Sequence, residues 1–339
     1  MAQKRKAASR KTSSRAGSKK NSSGFSLGKF ILGVLILGGL GYTGLALREG
    51  ELVPESIREF RLESPLNGDR IKAEPGSENT GSEVISAPES TSEPSNNEDL
   101  NYSEFDLYFT SAFDFMWPAY NTNDAIIERP YYTLRYNEDH EQAMWVAYKL
   151  VADSLNRPTF DRADDFREDP RVRTGSASLA DYRGSGYDRG HLAPAADFSY
   201  DEFALSQSFY MSNMSPQDPG FNRGIWKKLE SKVRDWAKEN GVVYVVTGPV
   251  LKSGLKSIGP NKVSVPEYYY KIVLDIDRPE IKAIAFLMKN EKSSNELSSF
   301  VVTIDEIERL TRLDFFPSIP DELENMLEST VMTSRWNFD

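Results

Sequence analysis

The segment Gly184-Ser-Gly-Tyr-Asp-Arg-Gly-His-Leu-Ala-Pro194 gathers the side chains most able to do chemistry: His191, Arg189 two residues before it, and Asp188, bracketed by glycines. An imidazole titrates near neutral pH and can take a proton from water. A guanidinium holds a phosphate through two parallel hydrogen bonds, and glycine lets a backbone approach a ligand closely. Taken alone, Asp-Arg-Gly-His also describes a turn with a solvated ion pair. Downstream residues extend the pattern: Asn213 in Ser-Asn-Met-Ser-Pro-Gln, Asn222 in Gly-Phe-Asn-Arg-Gly-Ile-Trp, then Glu230 and Arg234. The Asn222 amide oxygen could cap a helix or ligate a hard cation. Glu230 and Arg234 are four apart and share a helix face, so a plain salt bridge between them is the alternative to a site. His140, the other histidine, lies in the acidic run Glu138-Asp-His-Glu141 and reads as solvated or structural.

The elements that must carry these residues follow from patterning. Residues 145–151, 242–247, 268–275 and 281–288 are rich in aromatic and β-branched side chains and read as strands, the last two joined by a short turn as a hairpin. A helix is expected at about 223–239, because Trp226, Leu229, Val233 and Trp236 recur at helical spacing and Gly241 sits just past the end. A second is expected at 303–313, with Thr303 as cap and Glu306 three residues on, and a third after Pro320. Strands with a few interspersed helices indicate an α+β fold.

The order and spacing of Asp-Arg-Gly-His, the two asparagines and Trp-x-x-Leu-Glu resemble the DNA/RNA non-specific endonucleases of the ββα-metal (His-Me finger) group, the family of the Serratia nuclease and mitochondrial endonuclease G. The likeness runs from about Phe105 to Glu328. It implies a ββα-metal nuclease domain with a central antiparallel sheet flanked by helices, cleaving DNA and RNA to 5′-phosphate and 3′-hydroxyl ends. It further implies His191 as general base, Asn222 as the one direct protein ligand of Mg2+ (with Mn2+ as a substitute), and Glu230 holding metal-bound water. Arg189 and Arg234 would contact the phosphate, and Asn213 would support the site. For an upstream phosphate-binding arginine, Arg162 is favoured over Arg167. Relatives often dimerise, so a homodimer is also an expectation of the likeness.

The 339 residues divide by charge: residues 1–48 carry ten basic and no acidic side chains, 49–100 carry 4 and 13, and 101–339 carry 27 and 38. Residues 1–28 are expected to be a basic cytoplasmic tail. Phe30–Leu47 is uncharged and mostly apolar, about 27 Å as a helix and close to the hydrocarbon thickness of a bilayer. Residues 29–48 are therefore expected to be a transmembrane signal anchor. That would place the following residues on the far side of the membrane, periplasmic or extracellular, with secretion after cleavage as the alternative. Residues 49–101, rich in Ser, Pro and Glu, read as a self-repelling linker, leaving 102–339 as the nuclease domain.

No cysteine is present, which excludes disulfides and zinc–thiolate centres, and two histidines exclude a three-histidine metal site. The residues also leave room for an inactive tethered nucleic-acid-binding module or a periplasmic phosphodiesterase on smaller substrates. A net charge of -11 over 101–339 repels a polyanion at long range. A nuclease with this balance must concentrate positive charge locally and steer its substrate weakly.

Overall fold

Seven runs of apolar and aromatic residues pair into one antiparallel sheet in the computed structural model, which describes Phe105, Tyr108, Phe109 and residues 113–339 apart from Ala163 and Arg278. The strands of this sheet are β1 (Ala125–Glu128), β2 (Thr133–Asn137), β3 (Gln142–Val151), β6 (Val242–Pro249), β9 (Tyr268–Asp275), β10 (Lys282–Lys289) and β11 (Val301–Val302), hydrogen-bonded in the order β1-β2-β3-β6-β9-β10-β11. The 268–275 and 281–288 runs form the expected hairpin, Asp275 facing Lys282 and Tyr268 facing Lys289. The expected tail, anchor and linker lie outside the described residues, and among the described residues no helix is long and apolar enough to cross a membrane.

Both faces of the sheet are covered, which is why its central strands are apolar throughout rather than alternating. One face carries Val146, Tyr148 and Leu150 of β3, Val243 and Val245 of β6, Tyr269 and Val273 of β9, and Ile284 and Phe286 of β10. Against it pack β4 (Asp188–His191), β5 (Met214–Gln217), α1 (Glu202–Ser208) and α2 (Lys227–Asn240). The other face carries Trp145, Ala147, Tyr244, Val246, Tyr270, Ile272 and Leu274, under α3 (Ile304–Thr311) and α4 (Asp321–Ser329). A short β-hairpin, β7 (Ser257–Ile258) with β8 (Val263–Ser264), stands apart from the main sheet.

The helix expected at about 223–239 is more interesting than its periodicity suggests. It begins as a turn at Pro219–Phe221, passes through a wide turn at Asn222–Trp226 kinked at Gly224 (φ −106, ψ −111), and continues as α2 to Asn240. Its N-cap is Asp218, whose carboxylate accepts from the Gly220 and Phe221 amides, so the capping alternative for Asn222 is removed. The stripe Trp226, Leu229, Val233 and Trp236 is fully buried as the spacing demands, and Gly241 ends the helix at φ +85. In α3, Thr303 caps as expected by accepting from the Glu306 amide, while the Glu306 side chain turns to Arg309 instead of closing a capping box.

Candidate active site

β4 and β5 form a two-stranded ribbon in which Asp188 faces Gln217 and His191 faces Met214. At Gly190 a Cβ would overlap the side chain of buried Gln217 (2.1 Å), so only a bare backbone lets the ribbon close over that glutamine. The ribbon leads through the Asp218 cap into α2. Two strands and a helix thus bring His191, Asn222 and Glu230 to one wall.

A cavity of about 580 Å³ opens there, lined by Arg162, Arg189, His191, Asn222, Glu230 and Arg234 among others. Six of the seven residues singled out from the sequence therefore share one space. Asn213 does not line it. Fully buried, its amide accepts from the Ala193 N–H and donates to the Ala193 and Ser208 carbonyls, at 2.9 Å each, fixing the chain two residues beyond His191. Arg167 is likewise absent from the lining: it donates to Ser206 and Asp165 and lies 4.0 Å from the Tyr210 ring centroid. Arg162 is the arginine that reaches the cavity. His140 is elsewhere, with Nδ1 2.8 Å from the Ser264 hydroxyl.

His191 is 8% exposed, with Phe209 edge-on at 5.0 Å and Phe166 at 5.8 Å, and its Nε2 has no hydrogen-bond partner. Burial, reinforced by the Arg162 and Arg189 charges and partly offset by Asp164, lowers its pKa from 6.5 to about 3. The ring is therefore neutral and able to accept a proton. Arg189 is held over the Phe166 ring at 4.3 Å, which aims its guanidinium without using its N–H groups on a carboxylate.

Asn222 sits in the wide turn, where its Nδ2 donates to Asp188 (2.9 Å) and leaves the amide oxygen as the atom offered to a cation. Asp188 also takes a two-pronged hydrogen bond from Arg223 (2.8 and 2.5 Å), tying the ribbon to the turn; these donors hold its carboxyl below the usual range against the cost of burial. Glu230 and Arg234 do not pair with each other. Arg234 instead donates to Asp197 (2.7 Å) and Ser231 (2.9 Å), and Asp197, 1% exposed, also accepts from the Tyr148 hydroxyl (3.0 Å).

Behind Glu230 lies Lys271, fully buried on β9, its Nζ 4.8 Å from the Trp226 ring centroid and without a hydrogen bond. Burial raises the pKa of Glu230 and lowers that of Lys271, and each charge opposes the other's shift. Lys271, Asp197 and Tyr148 escaped the sequence reasoning. The one available signal was a lysine in the middle of Tyr-Tyr-Tyr-Lys-Ile-Val-Leu, a strand otherwise apolar on both faces.

A family model for the DNA/RNA non-specific endonucleases matches residues 112–322. The chain belongs to that family. As a DNA/RNA non-specific endonuclease it is an enzyme that hydrolyses phosphodiester bonds. Among its relatives, nuclease C1 of Cunninghamella echinulata var. echinulata is 37% identical over 211 residues, 57% of this chain and 83% of that one. Human mitochondrial endonuclease G is 37% identical over 205 residues, covering 56% and 69%. A chain in the crystal structure of an EndoG/EndoGI complex superposes with a TM-score of 0.57 at 31% identity, covering 63% of this endonuclease and 92% of that chain. The matched span contains every residue of the cavity named above.

Proposed function

We propose that this endonuclease cleaves DNA and RNA by metal-assisted hydrolysis with His191 as the general base. The observation that carries this reading is the neutral His191 ring in one cavity with Asn222, Glu230 and the four arginines Arg162, Arg189, Arg223 and Arg234. A water hydrogen-bonded to the cavity side of the His191 imidazole would give up its proton to the ring as it attacks phosphorus, and the P–O3′ bond breaks, the departing oxygen taking a proton from water, to leave 5′-phosphate and 3′-hydroxyl ends. Approach of the phosphate anion offsets the repulsion from Arg162 and Arg189 and raises the basicity of His191 when it is needed. Arg162, Arg189 and Arg234 stabilise the charge gathering on the phosphoryl oxygens. Asn213 acts as a positioning residue through Ala193, and Asp197 through Arg234.

The donor set fits a hard divalent cation such as Mg2+. Asn222 offers an amide oxygen and Glu230 a carboxylate, and so few protein oxygens suit an ion that keeps most of its water. Bound there, the cation supplies Lewis-acid stabilisation of the phosphoryl charge and the leaving oxygen. Residues 29–48 as a membrane anchor, with the catalytic domain outside the cytoplasm, complete the proposal.

The test is incubation of the full-length protein with plasmid and with RNA, in Mg2+ or in EDTA, beside His191→Ala and His140→Ala. Wild type and His140→Ala should degrade both substrates in Mg2+ only, and His191→Ala neither. Undiminished nucleic-acid binding without cleavage by wild type would instead mark an inactive binding module.

A further inference from the structure

The face of the sheet away from the catalytic cavity carries a charge arrangement the nuclease reaction does not use. Asp305 and Glu308 on α3 and Glu328 on α4 each offer a carboxylate oxygen, and these oxygens lie within 4.8 Å of one another. None of the three lines the catalytic cavity. Glu328 is 7% exposed, its carboxylate is part of the cluster, and its Oε1 has no hydrogen-bond partner. A buried carboxylate oxygen with nothing to accept from is costly in any fold.

Three further features compound that cost. Glu328 stands in the last turn of α4, where the helix dipole disfavours negative charge. Glu324 lies one turn earlier on the same helix, a like-charge neighbour. Among the described residues no ion pair engages Asp305, Glu308, Glu324 or Glu328. Burial and the surrounding carboxylates, Asp305, Glu308, Asp314 and Glu324, push the Glu328 carboxyl up to about 9, and the same crowding pushes Glu324 up to about 7.

We propose that Asp305, Glu308 and Glu328 form a structural calcium site that clasps α3 to α4. Three carboxylate oxygens within 4.8 Å of one another can surround one ion, and three carboxylates suit calcium, which gathers many oxygen ligands in flexible geometry, better than magnesium, which keeps most of its water and takes one or two. Exposed Asp305 leaves the ion room for water ligands. Glu308 is already oriented, its Oε1 accepting from the Phe315 amide at 2.6 Å.

The experiment is calorimetric titration of the EDTA-stripped full-length protein with CaCl2, beside Asn222→Ala, Glu328→Gln and Asp305→Asn, with melting temperatures read in EDTA and in calcium. Asn222→Ala, which leaves the cluster intact, should keep one calcium equivalent and the calcium-dependent rise in melting temperature. Glu328→Gln, made in the Asn222→Ala background so that the catalytic cavity cannot supply the signal, should lose both, with calcium affinity weakened at least tenfold, and in EDTA should melt no lower than Asn222→Ala, because Gln matches the crowded carboxyl in shape and carries no charge. Should Glu328→Gln fail to fold, the exposed substitution Asp305→Asn reads the same loss. Absence of calcium binding by Asn222→Ala, or full calcium binding by Glu328→Gln or Asp305→Asn in that same Asn222→Ala background, would overturn the site.

Discussion

Replacing His191 with alanine should flatten the acid limb of the stability curve. In the folded protein this imidazole is protonated only below about pH 3, against an ordinary value of 6.5 in the unfolded chain. Between those values the unfolded state binds a proton that the native state refuses. The contribution of His191 is therefore fully present above pH 6.5 and is lost as the pH falls, at about 1.4 kcal/mol per pH unit. At pH 4.5, two units below 6.5 and still above the folded value, the loss is about 3 kcal/mol, a sizeable part of a typical domain's 5–15 kcal/mol. Urea unfolding followed by the fluorescence of buried Trp145, Trp226 and Trp236, at pH 7.5 and pH 4.5, measures it. The carboxylates contribute equally to wild type and His191→Ala, so they cancel in the difference. His191→Ala should lose about 3 kcal/mol less than wild type between the two pH values. Equal losses would mean that His191 titrates alike folded and unfolded, and the case for a buried neutral base would fail.

Asn222→Ala should lower cleavage at least a hundredfold while leaving the melting temperature close to wild type, measured by plasmid nicking and thermal denaturation, because its hydrogen bond to Asp188 is backed by Arg223. Arg162→Ala should cost about ten- to a hundredfold in kcat/KM with little effect on stability; Arg167→Ala, pinned under Tyr210, should do the reverse at about 1–3 kcal/mol. Asn213→Ala removes three buried hydrogen bonds and should destabilise by about 3 kcal/mol in urea titration. Nucleic-acid binding by His191→Ala should show a shallow salt dependence, since residues 101–339 carry a net charge of -11 and few cations face the cavity; a slope equivalent to many phosphate contacts would contradict this.

The parts of the fold legible from sequence were those held by apolar periodicity: the central strands, the buried stripe of α2 and the Thr303 and Pro320 helix starts. β4 and β5 were not, because Asp-Arg-Gly-His and Met-Ser-Pro-Gln have neither alternation nor β-propensity; tertiary packing over buried Gln217 makes them strands. The kink at Asn222–Trp226 was hidden for a related reason. Trp226 and Leu229 keep their helical spacing across it, and only the backbone at Gly224 departs. Among site residues, the motif disclosed those on the cavity wall. The partners behind them, Asp197, Tyr148 and Lys271, come from three separate segments whose meeting depends on the sheet register, which no local pattern encodes. The Glu230–Arg234 spacing pointed to a salt bridge that the fold replaces, because buried Asp197 needs the cation more.

The neighbouring strands β3 and β6 pair at Val151 and Val242, and the Ala152 amide donates to the Gly241 carbonyl at 2.8 Å. Residues 152–241 therefore leave the sheet and return to it at one point, and that excursion contains Arg162, Arg189, His191, Asn222, Glu230 and Arg234. The reacting groups form a cassette with a single doorway, while the sheet supplies only the floor through Tyr148 and Lys271. Closing so long an excursion adds little entropy over a shorter one, about 0.6 kcal/mol per doubling. Insertions inside the cassette can thus reshape the substrate groove while the strand register beneath stays as it is.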